Sequence, residues 1–300
     1  MARTTSVKKK LPAPRPQVKK PAVKLTVVAN PMRAAYLDLM EKALTGLLYR
    51  DRALGFSMES TKPLWKRVRN KVLGKAPKNF GPTPVYDDKA RLMGRDWPSI
   101  APTMIGVKRM QNLRMICEDV ICKSIPGDFI ETGVWRGGAC IYARAIFNAF
   151  GETQRNVWVA DSFEGLPPPN PELYPADKGD KHHTFNDLAI SKEQVEENFK
   201  RYGVMGSNVK FLKGWFKDTL PKAPIKQLAV LRLDGDMYES TMDGLKIFDK
   251  LSVGGYVIVD DYGAVPACKQ AIEDFRKARG IKDPIINIDG IGVYWQKTRK

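Results

Sequence analysis

The run Asp128-Phe-Ile-Glu-Thr-Gly-Val-Trp-Arg-Gly-Gly138 constrains the fold of this chain more than any other segment. Its first residues are apolar and typical of a strand, Gly133 permits a tight turn, and residues 139–150 have the apolar spacing of a helix. A strand, a glycine turn and a helix start in this order predict a ligand site outside the carboxyl end of the strand. The paired glycines Gly137 and Gly138 would let a ligand come close to the backbone there. Glu131 occupies the first glycine position of the dinucleotide fingerprint. A cationic ligand, or one with amine and hydroxyl donors, therefore suits the site better than a pyrophosphate.

Strands and helices alternate from this run to the end of the chain. The predicted strands are near-continuous apolar runs, as expected when both faces of a parallel sheet are covered. They are Phe129–Val134, Val157–Ser162, Val209–Lys213, Leu228–Leu233, Tyr256–Asp260, Ile285–Ile288 and Gly292–Gln296, with helices over 138–150, 191–203, 239–251 and 265–279. The short turn at Asp289-Gly290 makes the last two strands a hairpin. The sequence predicts an α/β fold with a doubly wound, mostly parallel seven-stranded sheet that ends in an antiparallel hairpin strand.

The region before the sheet divides by charge. The net charge is +17, of which residues 1–25 carry +8, residues 26–100 carry +7 and residues 101–300 carry +2. We predict a disordered basic tail over 1–25, a helical and irregular extension over 26–100 that forms a lid or an oligomer contact, and the ligand-binding domain over 101–300. Helical patterns cover 31–56 and 103–125, and a short helix is predicted around Pro63–Val72.

Composition narrows the compartment and the class of protein. No apolar run approaches the roughly 18–20 residues of a spanning helix, and the basic N-terminus lacks the apolar stretch of a secretory signal. The cysteines, Cys117, Cys122, Cys140 and Cys268, show neither C-x-x-C spacing nor a dense framework. We expect a cytoplasmic protein with reduced thiols.

Acidic residues collect where the predicted strands end, which is where open α/β sheets bind ligands. They are Glu131, Asp161, Asp234, Asp236, Asp260 and Asp261. Asp161 suits hydrogen bonding to a ribose diol, so S-adenosylmethionine fits the first strand and turn. Asp234, Asp260 and Asp261 offer hard oxygen ligands without a neighbouring Cys or His cluster, which selects magnesium, manganese or calcium over zinc. The competing interpretation is that these aspartates cap helices or pair with Arg232 and lysines.

The histidines of the chain, His182 and His183, lie in a loop rich in Gly, Asp and Lys. A loop on a rigid scaffold often carries function, and a histidine can accept a proton near neutral pH. An inert loop histidine is the competing interpretation.

Several motifs in order resemble the macrocin O-methyltransferase family, whose members methylate sugar hydroxyls in antibiotic pathways. They are Glu131-Thr-Gly-Val-Trp-Arg-Gly-Gly138, Asp161-Ser-Phe-Glu-Gly-Leu-Pro167, Leu231-Arg-Leu-Asp-Gly-Asp-Met-Tyr-Glu-Ser-Thr241 and Val259-Asp-Asp-Tyr262. The similarity spans about Pro102 to Gln296. It implies a class I methyltransferase that uses S-adenosylmethionine and Mg²⁺ to methylate a small-molecule glycoside or diol.

The resemblance also implies roles for individual residues. The expected cofactor-binding residues are Met104, Glu131, Thr132, Gly133, Asp161, Ser162, Gly214 and Trp215, and the expected metal ligands are Asp234, Asp260 and Asp261. Asp236 and His182 match positions proposed as the general base, and both stay open here. The N-terminal hundred residues depart from the family pattern in their charge, which leaves the identity of the acceptor open.

Three other functions are weighed against a sugar methyltransferase. A catechol-type O-methyltransferase would use the same fold and metal with an aromatic diol. The basic N-terminal third suggests a nucleic-acid substrate, but the nearly neutral remainder carries no RNA-reading motif and does not favour one. A non-catalytic scaffold is disfavoured because every expected ligand position is present. The amphipathic pattern over 31–56 also favours a homo-oligomer contact.

Overall fold

The computed structural model describes residues 30–54 and 85–299. The predicted basic tail over 1–25 and the predicted helix at Pro63–Val72 lie outside the described residues. Within the described ranges, no helix is both long enough and apolar enough to cross a membrane.

The described strands form one sheet. They are β1 (Asp128–Thr132), β2 (Val157–Asp161), β3 (Val209–Lys213), β4 (Leu228–Leu233), β5 (Leu251–Val259), β6 (Ile286–Asn287) and β7 (Val293–Gln296). Their order is β3-β2-β1-β4-β5-β7-β6. Strands β1 to β5 pair in parallel, whereas β7 is antiparallel to both β5 and β6. The predicted seven-stranded sheet with a terminal antiparallel hairpin is confirmed.

Helices cover both faces of this sheet. They are α1 (Pro31–Leu44), α2 (Asp88–Leu92), α3 (Gly106–Cys122), α4 (Gly138–Ala149), α5 (Lys192–Arg201), α6 (Phe216–Thr219), α7 (Tyr238–Leu245) and α8 (Pro266–Ala278). Alternate strand residues point to opposite faces. Phe129 therefore packs with α1, α3, α4 and α5 in one apolar core, and Ile130 packs with α7 and α8 in the other.

Helix α1 is part of the apolar core that contains Phe129, which we call the first core. Leu37 and Leu44 are fully buried, and the Tyr142 hydroxyl of α4 donates a hydrogen bond to the Leu37 carbonyl over 3.3 Å. The helix begins at Pro31, where the Asn30 side chain accepts a hydrogen bond from the Arg33 N–H group. The described N-terminal residues thus pack on the sheet domain, and a role as lid or oligomer contact stays a prediction.

Two helices are shorter than the sequence pattern predicted. The pattern over 31–56 ends as a helix at Leu44, because the chain turns at Gly46 with a φ of +71°. The predicted helix over 239–251 ends at Leu245, and Leu251 already belongs to β5. Leu251 pairs with Leu228 of β4 ahead of a register shift, a feature that helical periodicity does not distinguish. The short helix α2 was not predicted.

Replacement of Leu37 by Ala tests whether α1 belongs to the core. We expect Leu37→Ala to lower the free energy of unfolding by about 2–5 kcal/mol, because a fully buried leucine leaves a cavity. Leu39 on the same helix is 55% exposed. Leu39→Ala is the matched control, and we expect it to change stability by less than about 0.5 kcal/mol. Urea unfolding measures both, and equal effects would contradict this packing.

Candidate active site

A cavity of about 1070 Å³ lies at the edge where the parallel strands end. Residues at the carboxyl ends of four different strands line it, including Glu131 in β1, Asp161 at the end of β2, Asp234 directly after β4 and Asp260 directly after β5. Open α/β sheets bind ligands at this edge because the strand order changes direction there. The structure thus has a cavity at the edge where the sequence predicts a ligand site.

Gly133 shapes the floor of the cavity. Its φ is +89°, and a Cβ atom placed on it would lie 1.7 Å from the carbonyl oxygen of Asp234. Only glycine fits this approach of the β1 and β4 loops. Gly137 and Gly138 have a different purpose from the one predicted. A Cβ on Gly137 would meet Val195, and one on Gly138 would meet Pro102, so these glycines admit protein segments and not a ligand.

Asp161 organises the loop after β1. One carboxylate oxygen accepts a hydrogen bond from the Val134 N–H over 2.8 Å, and the other accepts from the Phe163 N–H over 2.7 Å. Burial raises the pKa of Asp161, and these N–H groups oppose the rise because they favour the carboxylate. Ser162 donates to the Gly165 carbonyl over 2.6 Å, so it fixes the next turn of the same wall.

The structure brings together most of the expected cofactor-binding residues. Those that line the cavity are Met104, Glu131, Gly133, Asp161, Ser162 and Trp215. Thr132 and Gly214 do not line it. The Thr132 hydroxyl donates to the Arg232 carbonyl over 3.4 Å, and the Gly214 N–H donates to the Asp161 carbonyl over 2.9 Å. Both residues therefore connect neighbouring strand ends beneath the cavity.

Met104 reaches the cavity because Arg136 fixes the segment that precedes it. The Arg136 guanidinium donates to the carbonyl oxygens of Pro98 and Ala101, each over 3.1 Å. Arg136 belongs to the glycine run after β1, so the run holds this segment beside the cavity.

Arg232 of β4 is the centre of the charged half of the site. Its guanidinium, 1% exposed, forms ion pairs with Glu131, Asp234 and Asp260. The distance to Asp234 Oδ2 is 2.6 Å. Glu131 lies directly opposite Arg232 in the β1–β4 register, and its second oxygen accepts from the Cys140 thiol over 2.9 Å. Burial raises the pKa of Glu131, whereas the charge of Arg232 opposes that rise.

A second buried arginine, Arg109 of α3, extends this network. It forms an ion pair with Asp260 and another with Asp289, the latter over 3.0 Å. Its Nη2 also donates to the Gly94 carbonyl over 3.3 Å. Neither Arg109 nor Asp289 was predicted as a site residue. Periodicity marks only the apolar face of α3, and the pair Asp289-Gly290 indicates a turn rather than a site.

The three predicted metal ligands converge. Asp234, Asp260 and Asp261 each offer an oxygen, and these oxygens lie within 4.8 Å of one another. Asp261 Oδ2 is buried and has no hydrogen-bond partner among the described residues. Burial, followed by repulsion from neighbouring carboxylates, raises the pKa of Asp261 well above its usual value. A hard divalent cation fits this donor set, because it would supply the positive charge and the partner that Asp261 lacks.

Arg232 and Arg109 already donate hydrogen bonds to part of this set of carboxylate oxygens. Each Asp260 oxygen is paired with one of the two guanidinium groups. The interpretation of these aspartates as partners of Arg232 is therefore correct for Asp234 and Asp260. It is not correct for Asp261, which forms no ion pair within the described ranges.

Both candidate bases line the cavity. Asp236 has a φ of +55°, which is rare for a residue with a Cβ atom. Burial raises the pKa of Asp236 to about 6, and the charge of His182 acts in the opposite direction. His182 Nδ1 lies 2.6 Å from Asp180 Oδ2. His183 does not line the cavity.

Comparison with known proteins identifies the family. The family model described as Macrocin-O-methyltransferase (TylF) matches residues 33–297. The chain belongs to this family. A relative from Streptomyces olivaceus, 8-demethyl-8-(2,3-dimethoxy-alpha-L-rhamnosyl)-tetracenomycin-C 4'-O-methyltransferase, is 48% identical over 268 residues, which cover 89% of this chain and 94% of the relative. Demethyldecarbamoylnovobiocin O-methyltransferase from Streptomyces niveus is 47% identical over 283 residues, which cover 93% of this chain and 99% of the relative.

A solved structure supports the same assignment. The structure of the O-methyltransferase NovP matches with a TM-score of 0.78 and 48% identity, over 89% of this chain and 100% of that one. The resemblance seen in the sequence motifs is confirmed, and this chain is an O-methyltransferase. Because the family match begins at residue 33, it includes nearly all of α1, which packs in the first core.

In this methyltransferase, Asp261 is a carboxylate under repulsion. We expect Asp261→Asn to raise the free energy of unfolding in chelator by about 1–2 kcal/mol, because the neutral amide ends the repulsion. Mg²⁺ is expected to raise the unfolding temperature of the wild type and not that of the variant. Scanning calorimetry measures both effects.

The control for Asp261→Asn is Asp249→Asn. A hydrogen bond from Arg279, followed by the charge of Arg279, lowers the pKa of Asp249, so its ionised form is favourable. We expect this variant to gain no stability and to keep the response to Mg²⁺. A stability loss in Asp261→Asn would contradict the proposed repulsion.

Proposed function

We propose that this protein transfers the methyl group of S-adenosylmethionine to a sugar hydroxyl of a glycosylated small molecule, with Mg²⁺ at the aspartate cluster. The observation that carries the proposal is that residues suited to each half of such a site line a single cavity. The loop after β1 and Asp161 form one wall, and the aspartates that follow β4 and β5 form the other. A methyl donor and a hydroxyl could thus lie next to each other, and orientation of this kind supplies much of the rate enhancement in enzymes.

The half beside β1 and β2 suits the cofactor. Each Asp161 oxygen accepts a backbone N–H, and the carboxylate retains acceptor capacity for the hydroxyl groups of a ribose. Met104 and Trp215 add apolar surface to the cavity lining. The net negative charge around Glu131 and Asp234 favours a sulfonium cation over a phosphate.

Asp234, Asp260 and Asp261 would hold the magnesium ion. Such an ion supplies a positive charge that lowers the pKa of an acceptor hydroxyl. Arg232 and Arg109 hold Asp260 in place, because both of its oxygens already accept hydrogen bonds. Among the residues that the structure describes, Asp261 Oδ2 has no such partner, so it is free to accept a cation.

Two side chains of the cavity could receive the hydroxyl proton. Asp236 has a pKa of about 6, so it is mostly ionised at neutral pH and can accept a proton. His182 is oriented by Asp180, whose ionised carboxylate only accepts hydrogen bonds. In the neutral ring, Nδ1 therefore donates to Asp180 and Nε2 carries the lone pair. The proposal includes both groups as alternatives for the base.

One part of the cavity lining favours a bulky acceptor. It is apolar and rich in proline, with Trp97, Leu166, Pro167, Pro168, Pro169, Pro171 and Leu188. Prolines lose little conformational entropy on binding, so they form a preorganised apolar surface for an aglycone. Two relatives are named as methyltransferases of a rhamnosyl tetracenomycin and of demethyldecarbamoylnovobiocin. This support favours a glycosylated natural product over a simple catechol.

Titration calorimetry with S-adenosylmethionine, followed by a methyl-transfer assay, tests the proposal. We expect micromolar binding by the wild type, loss of binding by Asp161→Ala, and loss of turnover with retained binding by Asp261→Asn. Thermal unfolding of each variant above the assay temperature establishes that the effects are local.

Three acceptor classes separate the alternatives in that assay. They are glycosides with a free hydroxyl next to another oxygen, simple catechols, and RNA. Transfer to catechols alone would show that the acceptor is an aromatic diol and not a sugar. Transfer to RNA would contradict the proposal of a small-molecule acceptor. Cofactor binding without transfer to any class would favour a non-catalytic scaffold. Absence of binding would contradict the proposal that S-adenosylmethionine is the cofactor.

A further inference from the structure

Asp177 is a buried carboxylate that the proposed reaction does not use. It lies in the loop between β2 and α5, at the end of the short turn Pro175–Asp177, and it is 1% exposed. A carboxylate buried to this extent requires strong hydrogen bonds in compensation. Its partners therefore indicate what it does.

The partners of Asp177 are the first N–H groups of α7. One oxygen accepts from the Tyr238 N–H over 2.6 Å, and the other accepts from the Glu239 N–H over 3.0 Å. The first N–H groups of a helix have no partner within the helix. Met237, at the N-cap position, supplies none through its side chain. Asp177 thus caps a helix from 61 residues upstream, and its charge is favourable at the positive end of the helix dipole.

Hydrogen bonds continue from Asp177 to His182. The Asp177 carbonyl accepts from the Asp180 N–H over 3.1 Å. The Asp180 carboxylate then accepts from the His182 N–H over 2.8 Å and lies 2.6 Å from His182 Nδ1. Hydrogen bonds therefore connect the start of α7 through Asp177 and Asp180 to the imidazole ring of His182 and set its position.

Asp236 lies just before α7, the helix whose first N–H groups Asp177 accepts. It precedes Tyr238 by two residues, and the Met237 N–H between them donates to the Gly235 carbonyl over 2.6 Å. The left-handed φ of Asp236, +55°, is costly and persists only where the neighbouring backbone is fixed. The Asp177 carboxylate supplies such a fixed point at the start of α7.

We propose that Asp177 is a positioning residue that fixes the distance between the two candidate proton acceptors, Asp236 and His182. This inference rests on the proposed methyl transfer. Asp177 does not touch the cavity, so its effect on the reaction acts through the loop and the start of α7.

Replacement of Asp177 tests the proposal in the full-length protein. In Asp177→Ala, kcat is expected to fall by about tenfold or more, because small misplacements of catalytic groups reduce rates strongly. The Kd for S-adenosylmethionine is expected to stay within about twofold, since no cofactor contact changes. Asp177→Asn is expected to recover part of kcat, because its amide oxygen can accept one of the two N–H groups.

Asp128 provides the matched control at the start of β1, far from the cavity. Its carboxylate accepts from the Asn156 N–H over 2.9 Å and from Trp158 Nε1 over 2.8 Å. Asp128→Ala is expected to lower the unfolding temperature and to leave kcat within about twofold. Equal losses of kcat in the two alanine variants, or a folded Asp177→Ala with wild-type kcat, would overturn the positioning role. If Asp177→Ala does not fold, the kcat of Asp177→Asn decides, and a wild-type value would overturn the role.

Amide hydrogen exchange gives a readout that is independent of methyl transfer. We expect the N–H groups of Tyr238, Glu239 and His182 to exchange about tenfold faster or more in the Asp177 variants, and those around Asp128 to be unchanged. Unchanged exchange at these three positions would overturn the inference. If the wild type transfers no methyl group, the proposed function fails, and hydrogen exchange alone decides whether Asp177 fixes the two segments.

Discussion

The buried guanidinium of Arg232 is the interaction on which the rest of the site depends. Open α/β sheets direct the ends of their strands to a single edge, and this chain places acidic residues at four of those ends. Arg232 forms ion pairs with three of the carboxylates, those of Glu131, Asp234 and Asp260. A buried charge is tolerated only when it is paired, so the carboxylates and the arginine require each other. The parallel register, which sets Glu131 opposite Arg232, is thus part of the site.

The charges of the site are only partly compensated, and this imbalance has a functional meaning. Arg109 and Arg232 neutralise a minority of the carboxylates around the cavity, and Asp236 and Asp261 form no ion pair with either arginine in the described part of the chain. Carboxylates left under repulsion reduce stability, and such local cost is common where a protein binds a cation or moves a proton. The cavity therefore combines a neutralised part that fixes geometry with an anionic part that is available for chemistry.

Local sequence patterns predicted the strands, their carboxyl-terminal aspartates and the hairpin, because each depends on residues close together in the chain. The contacts of Arg109 and Asp177 were not predictable in this way, since their partners lie 151 and 61 residues away. Gly137 and Gly138 indicated a close approach correctly, but sequence does not reveal whether a ligand or a protein segment approaches. The helix predicted over 239–251 was too long because an apolar run suits a buried strand as well as a helix.

The free energy of unfolding of Arg232→Met measures the central dependence most directly. We expect a loss of about 3–5 kcal/mol, because the substitution leaves buried carboxylates without their partner, and a smaller loss when Asp260→Asn is added. Arg279→Met is the matched control, since its ion pair with Asp249 is exposed and is expected to contribute less than about 1 kcal/mol. A loss of stability as small as that of this control, or strictly additive losses for Arg232→Met and Asp260→Asn, would contradict the dependence of the site on Arg232. A large loss that Asp260→Asn reduces would establish Arg232 as the counter-charge of the site.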